Sequence, residues 1–477
     1  MTGNKPIKFG TDGWRGIIAE DFTFDNVRLC SQAVAKYLKD SGLAQKGLVI
    51  GYDTRFASEY FAIAAAEVIC GNGIKVYLCD ETTPTPVVSY GVIAKEAGGG
   101  IVITASHNPA QWNGLKYKSS DGASAPTEVI AELEKNITAI TEKGKISRIL
   151  LPEARKRGLL EGIDPAPIYM EQIKKLVDLD VLRKAGLKIA VDSMYGAGIG
   201  YFKMLLGGDT TSVIEINGER NPAFPGMKQP EPVAINLDGL SEKVREEKTD
   251  VGIATDGDSD RIGIMDENGS FLTQLQVFAL IALYLLEVRG ERGAIVKTIT
   301  RTNMLYRLGE IFDVPVYETP VGFKYIAPIM LERDALVGGE ESGGYGYRGH
   351  VPERDAILSG LYFLDFMTKT GKTPSQLLDY LYSKVGPHHY SRVDVEFAEE
   401  QKGQIISRVQ DSSPKMLGGV KVVEKSTLDG FRFTLKDSSW LLIRFSGTEP
   451  LLRIYSESDS KQRAGELLEL GKDIAGV

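Results

Sequence analysis

The segment Thr104-Ala105-Ser106-His107-Asn108-Pro109 directly follows the apolar run Gly100–Thr104. In α/β sheets, ligands bind beyond the carboxyl ends of strands, so Ser106 stands where a nucleophilic hydroxyl is useful. Pro109 stiffens the turn, and the short polar residues can bond the backbone. An ordinary polar loop from strand to helix reads the same way. No G-x-S-x-G surrounds the serine, which excludes a hydrolase elbow.

A second segment, Asp256-Gly257-Asp258-Ser259-Asp260-Arg261, sets three carboxylates at alternate positions after the run Val251–Ala254. Three such charges repel one another unless a hard divalent cation gathers them. Glu267 falls at the twelfth position of an EF-hand spacing, but Arg261 takes the place of its turn glycine and both flanks look like strands. Three protein ligands leave room for substrate oxygens, which suits magnesium on a phosphate.

Gly338-Gly339-Glu340-Glu341-Ser342-Gly343-Gly344 offers carboxylates and a hydroxyl on glycine-rich backbone, suited to vicinal sugar hydroxyls or to a plain acidic hinge. Gly322-Phe323-Lys324 and His350 add a basic and a titratable group nearby in sequence. In Arg444-Phe445-Ser446-Gly447-Thr448-Glu449-Pro450, the hydroxyls of Ser446 and Thr448 and the Gly447 amide can ring a phosphate. Arg444 and the later Arg453 supply bidentate cations. Arg15, between glycines in Phe9–Gly16, and Lys116 in Asn113–Lys116 are weaker signals, since single cations are usually surface charge. No Walker loop and no complete G-x-G-x-x-G occurs, which disfavours ATP and nicotinamide use.

These segments need rigid elements behind them. Apolar runs alternate with amphipathic stretches in three successive blocks. Gly47–Tyr52, Ile74–Leu78 and Gly100–Thr104 read as strands of the first, Leu187–Val191, Ser212–Ile216 and Val251–Ala254 of the second, and Ala294–Lys297 and Val314–Tyr317 of the third. Helical stretches such as Glu59–Ile69, Asn236–Glu247, Leu275–Glu287 and Gly322–Leu331 lie between them, as in βαβ units with parallel strands. The last hundred or so residues instead hold five closely spaced strands, from Val393–Phe397 to Leu452–Ser456, flanked by helices, an α+β pattern with an antiparallel sheet.

Composition excludes other classes. The 477 residues carry 56 Lys and Arg against 64 Asp and Glu, a formal charge of −8, which disfavours a general nucleic-acid binder. No apolar run is long enough for a membrane span, and the N-terminus has no signal core, so a cytoplasmic protein without a membrane partner is expected. Cys30, Cys70 and Cys79 have neither a pairing pattern nor metal spacing.

Taken in order, FGTDGWRG, TASHNP, NGLK, DGDSDR, GFK, GGEESGG, RDAI (Arg354–Ile357) and RFSGTEP resemble the α-D-phosphohexomutase family over nearly the whole chain. The resemblance implies an intramolecular phosphotransferase with three similar mixed α/β domains in series and a C-terminal α+β domain, arranged around a central cleft. The expected divisions are 1–153, 154–254, 255–370 and 371–477. It further implies that Ser106 carries a phosphoryl group, and that Asp256, Asp258 and Asp260 hold one Mg2+ with a Ser106 phosphate oxygen. Arg15, Lys116 and His107 stand beside the reacting phosphate, and Lys324 matches a proton carrier. Glu340 and Ser342 would read the sugar 3- and 4-hydroxyls, with Arg261 also on the substrate side. Arg444, Ser446, Gly447, Thr448 and Arg453 would clamp the non-transferring phosphate.

The matched loops resemble glucose-phosphate enzymes more than glucosamine-phosphate ones. The expected reaction interconverts glucose 1-phosphate and glucose 6-phosphate through a phosphoserine and glucose 1,6-bisphosphate, with mannose phosphates also accepted. Phosphomannomutase, phosphoglucosamine mutase and phosphopentomutase are alternatives within the family; a metal-dependent sugar phosphatase is a more distant one. The partner is a small hexose phosphate, and the chain is expected as monomer or homodimer. Ser259 stands where the family commonly has glycine, and RDAI replaces RDGI, while the carboxylate spacing is unchanged.

Overall fold

The computed structural model describes residues 6–445 and 451–477. Three mixed α/β units are followed by an α+β unit with an antiparallel sheet, as expected. The first sheet runs, in spatial order, Trp14–Ile17, Trp112–Lys118, Gly100–Ile103, Leu48–Tyr52, Val76–Cys79 and Leu160–Ile163. Its last four strands are parallel; the first two are antiparallel to their neighbours. The strand Leu48–Tyr52 is buried at every position because both of its faces are covered. Leu48 and Ile50 join the core under the helices Phe24–Asp40 and Ser58–Gly71, while Val49 packs on the opposite side with Val88 and Val92 of the helix Thr85–Ala94. Gly51 permits that helix to come close: a Cβ there would lie 2.3 Å from Val88 Cγ2.

The second sheet centres on Lys188–Asp192, parallel to Ser212–Ile216 and to Val251–Thr255, with Ile262–Met265 and Phe271–Leu272 added antiparallel. The third pairs Ile295–Thr298 in parallel with Val316–Thr319 and Val337–Gly339, and closes with the antiparallel strand Tyr345–Tyr347. The fourth is antiparallel throughout, from His389–Glu396 through Leu451–Ser458, Trp440–Phe445, Phe431–Leu435 and Val420–Ser426 to Met416–Leu417.

The sheets shift the divisions expected from sequence. Leu160–Ile163 hydrogen-bonds to the first sheet, so that unit runs past residue 153. The second sheet needs Ile262–Met265 and Phe271–Leu272, beyond residue 254. The helix Pro374–Val385, opened by a Thr373/Gln376 capping box, buries Leu377 and Leu381 in the core of the third unit, beyond residue 370. The second and third units share that core: Ile253 and Ile262 belong to the same cluster as Val337, the buried helix Gln274–Leu283 and the helix Ala356–Thr370. The fourth unit has its own core and meets the third through a small cluster of Ile299, Trp440, Leu442 and Tyr455. No described helix is long and apolar enough to cross a membrane.

Asp192 ends its strand 2% exposed. Burial pushes its carboxyl up to about 6, although Asn217 Nδ2 (2.9 Å) and Met194 N (2.8 Å) both donate to Oδ1. The folded carboxyl therefore binds its proton more tightly than the unfolded one. Its contribution to stability falls as pH rises through this window, and the cost persists at neutral pH. Asp192→Asn keeps the accepting oxygen without the charge. It is expected to gain about 2 kcal/mol at pH 7.5 and almost nothing at pH 4, measured by urea unfolding at both.

Candidate active site

Ser106 sits in the loop that joins the strand Gly100–Ile103 to its antiparallel neighbour Trp112–Lys118. The alternative reading of this segment, an ordinary strand-to-helix loop, does not describe it, since it links two adjacent antiparallel strands. Ser106 is buried and adopts φ +53°, the left-handed region that costs a residue with a Cβ. Its amide donates to Thr104 Oγ1 at 2.7 Å. Its Oγ donates to Asp256 Oδ2 at 2.7 Å and lies 3.3 Å from His107 Nδ1. Burial, followed by the charges of Arg261, Arg15, Arg55 and Lys116, holds the His107 imidazole well below its usual range, so the ring is neutral.

The acidic loop follows the same plan, between Val251–Thr255 and the antiparallel Ile262–Met265. Backbone amides of Asp260 (3.0 Å) and Arg261 (3.1 Å) donate to Asp256 Oδ1 and curl the loop around it. Ser259 takes φ +59°, which explains why glycine suits that position. Gly257 must lack a side chain, since a Cβ would stand 2.4 Å from the Ser106 carbonyl oxygen.

All three carboxylates are buried, and oxygens from each lie within 4.8 Å of one another. Asp258 Oδ2 accepts from Thr85 Oγ1 (2.5 Å) and Lys116 Nζ (2.8 Å); Asp260 Oδ2 accepts from Lys116 Nζ (2.8 Å) and pairs with Arg354 Nη2 at 2.9 Å. The other oxygen of each, Asp258 Oδ1 and Asp260 Oδ1, is buried without a hydrogen-bond donor among the described residues, Arg261 Nε standing 3.9 Å from the latter. Unsatisfied buried carboxylate oxygens are costly, and a hard cation satisfies them. Burial, with Asp258 and Asp260 adding to it, pushes the Asp256 carboxyl well above its usual range. Burial acts likewise on Asp258, but Lys116 overcomes it and holds that carboxyl low. The cluster can therefore hold a metal ion, with Lys116 on one side of two carboxylates and free oxygens on the other.

Lys116 is 1% exposed. Burial opposes its charge, but Asp12 (2.6 Å), Asp258 and Asp260 raise its pKa above the ordinary lysine value and keep it charged. The ion pairs continue into the third unit. Arg354 reaches Asp12, Asp260 and Glu340 (3.2 Å), and Lys118 pairs with Glu353 at 2.5 Å. Arg15 Nη1 donates to Asn108 Oδ1 at 2.6 Å, which places it on the Ser106 loop. Arg261 pairs with Glu231 at 3.1 Å.

The third loop repeats the plan again, between Val337–Gly339 and the antiparallel Tyr345–Tyr347. Glu340 is 7% exposed; burial raises its carboxyl pKa against the pull of Arg354 and Arg261. Ser342 Oγ is buried without a hydrogen-bond partner among the described residues. Glu341 reaches the fourth unit, accepting from Tyr390 OH at 2.6 Å and Arg392 Nη1 at 3.5 Å. Arg444 and Arg453 face each other across adjacent antiparallel strands, paired with Asp429 (3.0 Å) and Asp394 (3.8 Å) respectively. Ser446, Gly447 and Thr448 lie outside the described residues.

The structure thus brings together Ser106, His107, Lys116 and the three aspartates, with Arg15, Arg261 and Glu340 around them. Lys324 lies in the first turn of Phe323–Glu332 with its Nζ over the Tyr325 ring at 5.2 Å, and no ion pair among the described residues joins it to the acidic cluster. His350, the titratable group near the third loop in sequence, has a fully buried side chain. It is bonded to Asp355 at 2.9 Å and stacked on Tyr90, so it holds units together rather than facing a ligand. Sequence reasoning assigned no role to Asp12, Thr85, Lys118, Glu353 or Arg354. Two signals were available: Asp12 and Arg354 lie within the quoted segments FGTDGWRG and RDAI, and Lys116 and Lys118 are spaced by two on a strand, which puts both on one face.

Profiles for the four parts of one family match along the chain: phosphoglucomutase/phosphomannomutase alpha/beta/alpha domain I over residues 6–144, domain II over 167–269, domain III over 274–385 and the C-terminal domain over 393–470. A phosphoglucomutase/phosphomannomutase of Thermococcus kodakarensis is 33% identical over 97% of both chains. A protein of Methanosphaera stadtmanae named as a phosphoglucosamine mutase is 31% identical over 98% of both. A candidate phosphomannomutase from Thermus thermophilus superposes with a TM-score of 0.85 at 34% identity over the full length of both chains. With all four domains matched in order along a chain that carries the Ser106 loop and the acidic cluster, the chain belongs to the phosphoglucomutase/phosphomannomutase family of phosphohexomutase enzymes.

Proposed function

We propose that the chain interconverts glucose 1-phosphate and glucose 6-phosphate, and also accepts mannose phosphates, through phosphorylated Ser106 and a glucose 1,6-bisphosphate intermediate. The carrying observation is Ser106 Oγ, 2.7 Å from Asp256 Oδ2 within a buried acidic cluster in which Asp258 Oδ1 and Asp260 Oδ1 lack donors among the described residues. Asp256, Asp258 and Asp260, with an oxygen on phosphorylated Ser106, would hold Mg2+. Magnesium, when bound, offsets charge on the transferring phosphoryl group.

Lys116 remains protonated among its carboxylates, so its part is electrostatic: it stabilises charge next to Ser106 rather than removing a proton. Arg15, held to the Ser106 loop through Asn108 Oδ1, supports the phosphoryl group as a second cation. Neutral His107 stands with Nδ1 3.3 Å from Ser106 Oγ, beside the serine oxygen whose proton points at Asp256 Oδ2. Lys324 is assigned as proton carrier for the sugar hydroxyl. Glu340 and Ser342 take the 3- and 4-hydroxyls, and Arg261 lines the substrate side. Arg444 and Arg453, with Ser446, Gly447 and Thr448, hold the phosphate that is not transferred. The bisphosphate then turns end for end, so that the same sockets read its other end. Water is kept from Ser106 by its burial, which limits loss of the phosphoryl group to hydrolysis.

Glucose 1-phosphate with Mg2+ and a trace of glucose 1,6-bisphosphate is expected to give glucose 6-phosphate. Folded, magnesium-loaded protein that forms none overturns the proposal. Free phosphate without isomerisation, and no phosphate on Ser106 by intact mass spectrometry, points to a sugar phosphatase instead. The Methanosphaera stadtmanae relative favours a second reading, glucosamine phosphates as substrate. Glu340 and Ser342 address hydroxyls that do not distinguish these sugars, so kcat/KM across glucose, mannose, glucosamine, N-acetylglucosamine and ribose phosphates decides between them.

A further inference from the structure

Arg55 belongs to none of the loops that carry the proposed chemistry, yet it is fully buried beneath the Ser106 loop. It follows the strand Leu48–Tyr52, the parallel neighbour of Gly100–Ile103. Its guanidinium donates to four backbone carbonyls of one loop. Nη2 reaches Ser106 O (2.5 Å) and Asn108 O (2.6 Å), and Nη1 reaches Pro109 O (2.9 Å) and Trp112 O (3.0 Å). Nε faces Asp53 Oδ2 at 3.2 Å, so the buried charge is paired. The second unit closes over the same segment. Phe224 lies against the guanidinium, 5.0 Å from ring centroid to Cζ, and Thr54 Oγ1 donates to Tyr195 O at 2.6 Å.

We infer that Arg55 is the positioning residue that holds Ser106 in its left-handed conformation, and with it the aim of Oγ at the acidic cluster. A strained backbone persists only where its surroundings over-determine it, and four fixed donors from one planar cation do so. Lysine is a point donor that cannot span four carbonyls, so Arg→Lys at this position is not conservative. The inference rests on the mutase reading for its kinetic consequence, while its structural consequence is measured independently of turnover.

Two measurements test it on the full chain with Mg2+. Hydrogen exchange compares wild type with Arg55→Lys. The Asn108 and Trp112 amides, which donate to Ala105 O and Pro109 O, are expected to exchange at least about tenfold faster in the variant, with Gly100–Ile103 unchanged. Steady-state kinetics is expected to show kcat down about 100-fold, KM for glucose 1-phosphate within about twofold, and faster loss of phosphate from Ser106. Unchanged exchange across residues 105–112 overturns the inference whatever the turnover. Equal kcat in the two proteins also overturns it, as does a kcat loss matched by an equal unfolded fraction. If wild type itself lacks turnover, the mutase reading fails and the exchange result alone judges Arg55. Should Arg55→Lys not fold, Asp53→Asn, which weakens the hold on Nε, is judged by the same criteria, with a smaller expected loss.

Discussion

Ser106→Ala is expected to lower mutase activity by at least about 10³-fold while leaving sugar-phosphate affinity within a few-fold of wild type. The loss follows from chemistry alone, because alanine has no oxygen to carry a phosphoryl group. The rest of the site should persist. Asp256 loses one of three hydrogen-bond donors but keeps the amides of Asp260 and Arg261. Alanine meets the same left-handed backbone that serine does, since the carbonyl contacts from Arg55 do not involve the side chain. Calorimetric titration with glucose 6-phosphate, alongside the coupled assay, separates the two quantities. Lost binding would mean that the serine builds the site; retained turnover would move the phosphoryl carrier elsewhere.

Lys116→Met is expected to reduce activity by a comparable factor for a different reason, and to destabilise the protein by about 3–5 kcal/mol. Lys116 is the cation shared by Asp12, Asp258 and Asp260, all buried or nearly so. Removing it leaves Asp258 with the Thr85 hydroxyl, Asp12 with Lys118 and Arg354, and Asp260 with Arg354, which already serves Glu340 and Glu353 as well. A divalent cation on the free oxygens of Asp258 and Asp260 replaces part of the missing charge. Magnesium should therefore raise the melting temperature of the variant by more than it raises that of wild type. Thermal unfolding with and without Mg2+ measures this. Equal shifts in the two proteins would show that Lys116 and the metal do not share the same carboxylates.

Much of the site could be read from the sequence because each chemical group lies in a contiguous loop after an apolar strand. Gly100–Thr104 announces Ser106, and Val251–Ala254 announces the aspartates. What escaped detection was the return strand after the first and third loops. Trp112–Lys118 contains Asn113, Lys116 and Lys118, polar residues whose burial depends on ion pairs and hydrogen bonds rather than on apolar character. Val337–Gly339 and Tyr345–Tyr347 are three residues each, too short for a periodicity to declare itself. The charge network was hidden because its members are distant in sequence. Lys118 and Glu353 are 235 residues apart, and Arg354 and Asp12 are 342 apart. Arg55 was hidden for a related reason. An arginine after a strand reads as surface charge until the fold supplies an aspartate and four carbonyls around it.

The recurring arrangement of a functional loop between two paired strands has a consequence for how such a chain can diversify. The loop ends are pinned by the registers Ile103 with Leu115, Thr255 with Ile262, and Gly339 with Tyr345. Phe445 with Leu452 brackets the fourth segment in the same way. Each segment is thus a cassette with fixed terminals. Its interior can be exchanged with that of a relative without moving the frame, provided the residues at the terminals still pair and close approaches such as Gly257 against the Ser106 carbonyl are kept. Selection for a new sugar can act on one cassette at a time, and a laboratory graft made at these same junctions has a defined place to cut and rejoin the chain.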